Sequence, residues 1–491
     1  MTSGRPAETA AAGAERAHRW LLIAVAAGVF VAADDQTSIV TVLPAILQDI
    51  RLPVDDFYRS SWIVNSYLLG YLVALPLLGR VADVYGHARV FAAALGVFAL
   101  GSVLVALAPG FEFLVVARGL QAIGGGGVVP VAMAIVVGEL PANRRALGLG
   151  AIAAASEGGA LIGPLWGGAI TEWFGWRWVF WVNLPMVLPM LITVWRLGGQ
   201  QRRRGAIDWA GAGLLGAGLA LLTFALVDDP NARRPLAATL AMLGGVAALA
   251  AAFWWRERRA SEPMMRLAIF RSLPVAAAHV ASMLVGAGLI VALIGVPLFV
   301  NLVLVQPPLD GGLTLMRLTV AVPAGALAGG WLAGRVGLRA PAVCGMLLAA
   351  AGFGGLQAWG DPLSEALRTL PQLVGGFGFG LVIAPLATAA LQRAYEHERA
   401  AISAWLTLSR VTGMLIGAAL LTSSGLGRFY ARAGTVPFNS PEFQRLVAEA
   451  QVTTFREVFI AAAIVMVIAG AVAGFIGRGD RRADVGWWIA S

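Results

Sequence analysis

The chain has 491 residues, 58% of them hydrophobic and only 13% charged, with a mean hydropathy of +0.77. A soluble domain runs at roughly 45–50% apolar and about 25% charged, so a water-soluble fold is excluded and the chain belongs in a bilayer. All 36 basic residues are arginines, which against 27 acids leaves a net charge of +9, and without lysine there is no Walker A loop, no Schiff-base chemistry and no P-loop ATP-driven pump.

The segment 1–19 is polar and alanine-rich, lacks an apolar core ahead of a small-residue cleavage site, and is expected to be a short cytoplasmic tail. Apolar runs long enough to cross a core of about 30 Å follow at 20–46, 58–79, 89–108, 112–138, 147–171, 178–197, 207–227, 236–255, 273–304, 312–334, 341–359, 369–392, 402–426 and 457–477. Fourteen crossings put both termini on one side. The ninth run contains Pro297, where a bend is expected. Segments on the N-terminal side carry 23 arginines and those opposite carry 10, so the positive-inside rule places both termini in the cytoplasm of a cytoplasmic-membrane protein. That distribution also accounts for the pI of about 10.8 without nucleic acid as a partner. The stretch 427–456 is then the one large external loop, with a turn at Pro441, a short amphipathic helix after it, and room for a periplasmic partner.

A weak repeat supports two halves: GRVADVYG at 79–86 follows the second run and GWLAGRVG at 330–337 follows the tenth, 251 residues on. Six spans with loops take about 200 residues, and the surplus matches a pair of runs at 207–255. The expected architecture is an all-α polytopic membrane protein. It comprises a six-helix bundle at 20–198, two linking helices at 199–260, a second bundle at 261–477 and a tail at 478–491.

Five motifs fall in order along these runs: DQTSIVTVLP in the first, GRVADVYG after the second, RGLQAIGGGG in the fourth, GPLWGG in the fifth and WRWVFWVNLP opening the sixth. Together they resemble the major facilitator superfamily, specifically its fourteen-helix drug:proton antiporter branch, over most of the chain. The resemblance implies two pseudo-symmetric bundles working by alternating access. It implies a cytoplasmic gate at Gly79, Asp83, Gly86 and Arg89, with the acid pairing to an arginine across the bundle; Val84, His87 and Ala88 stand where basic residues are usual. It marks Gly163, Pro164, Gly167 and Gly168 as the antiporter motif, where glycines allow close helix approach. It assigns Asp35 and Arg118 to proton handling.

An ionisable group in the bilayer costs on the order of 2.5–3.5 kcal/mol, so each needs a partner or a task. Glu157 and Arg410 lie at similar depth, roughly 15 and 12 Å inside their spans, in different halves, and are expected to form an ion lock that protonation of Glu157 releases. Asp34 points about 100° away from Asp35 around the helix, and two adjacent acids resist double ionisation. Arg317 is expected to reach the outer surface or to pair with Asp34 or Asp35, and His279 is expected to be an interfacial polar residue.

The spans offer few Asn, Gln or Tyr, so no sugar or zwitterion site can be assembled; an apolar cavity suits lipophilic cargo, and an acid within it would attract cationic amphiphiles. SEGGALIGPLWG, FWVNLP and SRVTGMLIGAALLTSSGLGRF also resemble the actinobacterial branch that exports triacylglycerols and affects drug tolerance. That branch has eleventh and twelfth helices extended outside the membrane, whereas 360–368 is a short connection. The expected function is proton-coupled export of lipophilic small molecules, with export of triacylglycerol-type lipid as the alternative and a non-transporting sensor or scaffold behind both. No enzyme chemistry or cofactor is expected beyond the proton gradient: Cys344 is the single cysteine, and His18, His87, His279 and His397 form no metal-ligand spacing.

Overall fold

The structure is a computed structural model that describes residues 5–50, 59–198, 207–227, 234–260, 272–359, 365–391, 399–433 and 443–477. Its helices are α1 (Arg5–Asp49), α2 (Ser61–Tyr85), α3 (His87–Ala106), α4 (Phe111–Glu139), α5 (Ala142–Phe174), α6 (Arg177–Leu197), α7 (Trp209–Leu226), α8 (Leu236–Arg259), α9 (Leu273–Leu298), α10 (Pro308–Val336), α11 (Arg339–Leu356), α12 (Glu365–Leu381), α13 (Ile383–Leu391), α14 (Arg399–Ala433) and α15 (Phe443–Ala473). α12 and α13 form one crossing broken at Val382, and α9 loosens into a π-helical turn at Phe299–Val303 just past Pro297. Among the described residues, thirteen crossings are long and apolar enough to span a bilayer. α5, with 33 residues along α1, completes fourteen.

Two bundles face each other, with the linking helices to one side. In the first, α1 packs on α5 and α6, α2 on α4, and α3 on α4 and α6; in the second, α9 packs on α14 and α15, α10 on α12, and α11 on α12 and α15. The halves meet where α5 packs on α10 and α2 on α14. The linking helix α7 rests on α2 and α14 together, with Phe224 against Trp62 at 4.5 Å, and α8 sets Phe253 against Trp405 of α14 at 6.3 Å.

Lipid offers no hydrophobic drive to join helices, so small residues decide where backbones meet. A Cβ on Gly163 would lie 2.6 Å from the Asp34 carbonyl of α1, and one on Gly167 would lie 2.7 Å from that of Ser38. The second half repeats the device: Gly413 abuts the Met283 carbonyl of α9, and a Cβ on Gly417 would lie 2.6 Å from that of Ala287. The sequence repeat is equally visible, because Gly86 (φ 100°) ends α2 and Gly337 (φ 85°) ends α10, each donating its N–H back to an alanine carbonyl. That region suits glycine alone, so Gly86→Ala and Gly337→Ala should each destabilise the protein by about 1–3 kcal/mol, measurable as a drop in melting temperature in detergent.

The face at which α1 enters the bundle is here the near face and the opposite one the far face. At the far face α5 of the first half is in backbone contact with α10 of the second. A Cβ on Gly168 would lie 2.9 Å from the Pro308 carbonyl of α10, one on Gly312 would lie 2.5 Å from that of Pro164, and Glu172 accepts the Leu309 N–H at 3.3 Å.

The expected external loop at 427–456 is corrected: α14 runs on to Ala433 and α15 begins at Phe443, leaving 434–442 outside the described residues. The helices therefore continue roughly 10 and 20 Å past the apolar limits read from sequence. Polar side chains hold them together there. Arg428 pairs with Glu457 at 3.1 Å, Arg432 pairs with the same carboxylate, and Arg432 reaches Thr454. With the linking pair set aside, α14 and α15 are the eleventh and twelfth helices of the core, so the extension lies here and not beside 360–368. The tail at 478–491 lies outside the described residues, and of the expected tail at 1–19 all but 1–4 is helical.

Candidate functional site

Asp35 lies two-thirds of the way along α1 and turns toward α4 and α6. Its Oδ2 accepts from Arg118 Nη1 at 3.0 Å, and its Oδ1 accepts from Gln121 Nε2 at 3.0 Å and Asn183 Nδ2 at 2.8 Å. Both side chains of the Asp35–Arg118 pair are 0% exposed. Arg118 and Gln121 share one face of α4 because they are three residues apart, and Arg118 Nη1 also donates to Gln121 Oε1 at 2.7 Å. Ser102 of α3 accepts from Gln121 at 2.8 Å and donates its own O–H to the Phe98 carbonyl at 3.0 Å. The guanidinium lies over Tyr67 at 4.3 Å and beside Phe180 at 5.6 Å. In a medium without water a charge needs this set of contacts, and five helices are joined by them.

Arg118 is not saturated. Its Nε and Nη2 have no hydrogen-bond partner, and a cavity of about 20 Å³ opens beside it, lined by Gln36, Thr37, Tyr67, Ile290 and Met414 among others. That is room for one water, between residues of both halves.

Asp34 is buried on the neighbouring face of α1, against α5, and its Oδ1 has no hydrogen-bond partner. Glu157 on α5 is exposed and Arg410 on α14 is half-buried. The expected lock between them is not formed in this conformation, since no contact within 4.0 Å joins them. α5 packs on α1 and α10 while α14 packs on α9 and α2, so shared depth does not bring the two charges together. Arg317 donates to Thr369 of α12 at 2.8 Å, within its own half, so the alternative pairing with Asp34 or Asp35 is corrected. His279 is buried between α9 and α14, 3.0 Å from Ser409, and is not the interfacial residue expected.

The gate motif lies at the near face. Asp83 is 3.1 Å from His87 and 3.9 Å from Arg80, so its partners among the described residues are local and not across the bundle. Gly79 faces Pro130 of α4, and Arg89 is half-buried in the first turn of α3. In the antiporter motif, Gly163, Pro164 and Gly167 form the face of α5 that receives α1, with Thr41 donating to the Pro164 carbonyl at 3.0 Å, while Gly168 meets α10. Gln121, Ser102, Asn183 and Tyr67 complete the charge site, and none of them carries a charge that would have singled it out.

A second cavity, of about 300 Å³, lies at the far face between the ends of α1, α9 and α14 and the start of α15. Leu43, Leu47, Leu298, Leu302, Leu421, Phe429, Phe455 and Val458 line it, together with the polar Gln48, Ser60, Thr422, Gln451 and Thr454.

Two facing six-helix bundles with a buried charge network beside the seam between them have the plan of a membrane transporter. The chain belongs to the Major Facilitator Superfamily, whose sequence profile matches residues 25–418. It is 35% identical over 495 residues to a protein of Mycolicibacterium smegmatis named triacylglyceride transporter, covering 94% of this chain and 88% of that one. A Mycobacterium tuberculosis protein of the same name is 34% identical over 496 residues, covering 94% and 95%. Among solved structures, a bacterial homologue of the human lysosomal transporter Spinster superposes with a TM-score of 0.65 at 15% identity over 94% of this chain and 97% of that one. A POT-family peptide transporter gives 0.64 at 16% over 96% and 98%. The protein is a multi-pass membrane transporter.

Proposed function

We propose that this transporter exports neutral lipid of the triacylglycerol type from the cytoplasmic membrane by proton-coupled alternating access, with both termini in the cytoplasm. The observation that carries the reading is the far-face cavity, lined mainly by apolar side chains with a few hydroxyl and amide groups among them, which suits an acyl chain with an ester. The relatives named triacylglyceride transporters support the same cargo. Asp35 with Arg118 and Glu157 with Arg410 supply the charges through which a proton would bias the two states. A second reading, export of lipophilic drugs or cationic amphiphiles, is favoured by the exposed carboxylate of Glu157.

The test is transfer of a fluorescent triacylglycerol, and separately of a cationic dye, by purified protein in liposomes with an imposed pH gradient. Lipid transfer that collapses with a protonophore and falls at least tenfold in Glu157→Gln and Arg410→Ala is the expected result. Dye movement without lipid movement would establish the second reading, and movement of neither would leave the exporter reading without support.

A further inference from the structure

Asp34 and Asp35 are adjacent acids in one buried helix, and their surroundings are unequal. Both oxygens of Asp35 are occupied as acceptors by Arg118, Gln121 and Asn183. Oδ1 already accepts two hydrogen bonds, so a proton there would displace one of them, and Oδ2 carries the charge-assisted bond from Arg118. Asp35 is therefore committed to three donors, one of them the Arg118 cation. Asp34 is 6% exposed, has no ion pair, and receives no hydrogen bond at Oδ1. It lies on the stripe of α1 with Phe30, Ser38 and Thr41 that meets the glycine row of α5: a Cβ on Gly159 would lie 3.0 Å from its amide nitrogen. A bare carboxylate there would have no donor at Oδ1 and would lie next to the Asp35 carboxylate, and a buried carboxyl so placed is carried neutral.

We propose that the exchangeable proton of this transporter resides on Asp34, and that Asp35, the acid of the first-span motif, is the fixed counter-ion of Arg118. The proposal rests on the proton-coupled reading above and names the site within it. The charged groups on every helix packed against α1 bear it out. α5 brings Glu157, exposed and two residues from Gly159; α4 brings Arg118, already committed to Asp35; and α6 brings the uncharged Asn183 at this level, its Arg177 being paired with Asp49 at the far face. α9 brings His279, which is turned to Ser409, and α10 brings Arg317, bound to Thr369, with Asp310 in its first turn at the far face. None of these is a cation held against Asp34. The acid keeps its proton while α1 and α5 stay packed as they are, and gives it up only when a changed packing admits water or a cation. Glu157, the exposed acid of the same joint, is placed to pass that proton on.

The experiment is infrared difference spectroscopy of the purified full chain in nanodiscs, between neutral and alkaline pH, in a Glu157→Gln background without cargo. A protonated-carboxyl band should be present, should vanish in Asp34→Asn and in Asp34→Ser, and should survive in Asp35→Asn. Thermal melting runs in parallel: Asp34→Asn, which mimics a neutral acid, should melt with the parent, while Asp35→Asn should melt lower. A band that persists in both Asp34 variants, or no band in the parent, overturns the assignment. Because no cargo or gradient is used, a band on Asp34 with no lipid transfer in liposomes would sink the exporter reading alone. Lipid transfer without that band would sink the proton assignment alone.

Discussion

Replacing Asp35 by asparagine should destabilise the protein by about 3–5 kcal/mol, the cost of removing one partner from a buried ion pair, and should abolish transport. The size follows from where Arg118 is left. It is fully buried, two of its nitrogens already have no hydrogen-bond partner, and its remaining attractions are the faces of Tyr67 and Phe180. Asparagine preserves the shape and can still meet Gln121 or Asn183, so the loss measures the charge and not a void. Arg118→Gln should be comparably damaging, because it leaves Asp35 the unpaired ion. The double variant Asp35→Asn, Arg118→Gln should recover a large part of the stability, since a neutral network replaces two uncompensated charges. Melting in detergent, followed for the two single variants and the double, reads the coupling directly. If Asp35→Asn melts with the wild type, the pair is not what holds α1, α4 and α6 together.

That pair was legible in the sequence because ionisable residues stand out in a chain this poor in charge. Its neighbours were legible only in part: Gln121 lies in the fourth-span motif and Asn183 in the sixth-span motif, but Ser102 is in none, and nothing in their spacing ties α3 and α6 to α1. The two-bundle plan was legible through the glycines that end α2 and α10, since a turn of that shape admits little else. Glu157 and Arg410 mark what depth along a helix does not give. Equal depth sets height in the membrane, whereas contact depends also on which way each helix faces and on which neighbours it has in this conformation. The extension of α14 and α15 was misread for a related reason. Hydropathy ends a span where polar residues begin, but the backbone stays helical where Arg428 and Arg432 share Glu457. The same rule that found the membrane concealed what stands outside it.

The antiporter motif performs two separable tasks, and substitution should split them. Gly163→Leu should prevent accumulation of folded protein. The first side-chain carbon alone would meet the Asp34 carbonyl at 2.6 Å and the Thr37 hydroxyl, and backbone cannot yield as a flexible side chain can. Its counterpart Gly413→Leu, against the Met283 carbonyl, should fail equally, because α9 and α14 repeat the crossing of α1 and α5. Gly168 lies only five residues further along α5, yet its neighbours are Pro308 and Leu309 in the other half. Gly168→Val should therefore leave each bundle folded and disfavour only the state in which the far face is closed. The expected result is near-normal melting with increased labelling, by a membrane-impermeant thiol reagent, of a cysteine placed at Leu302 in the far-face cavity. Gly213→Ala, which has open space around it, serves as the control and should change neither measurement. If Gly168→Val unfolds the protein as Gly163→Leu does, the contact between α5 and α10 is part of a single rigid core, and the two halves do not separate there.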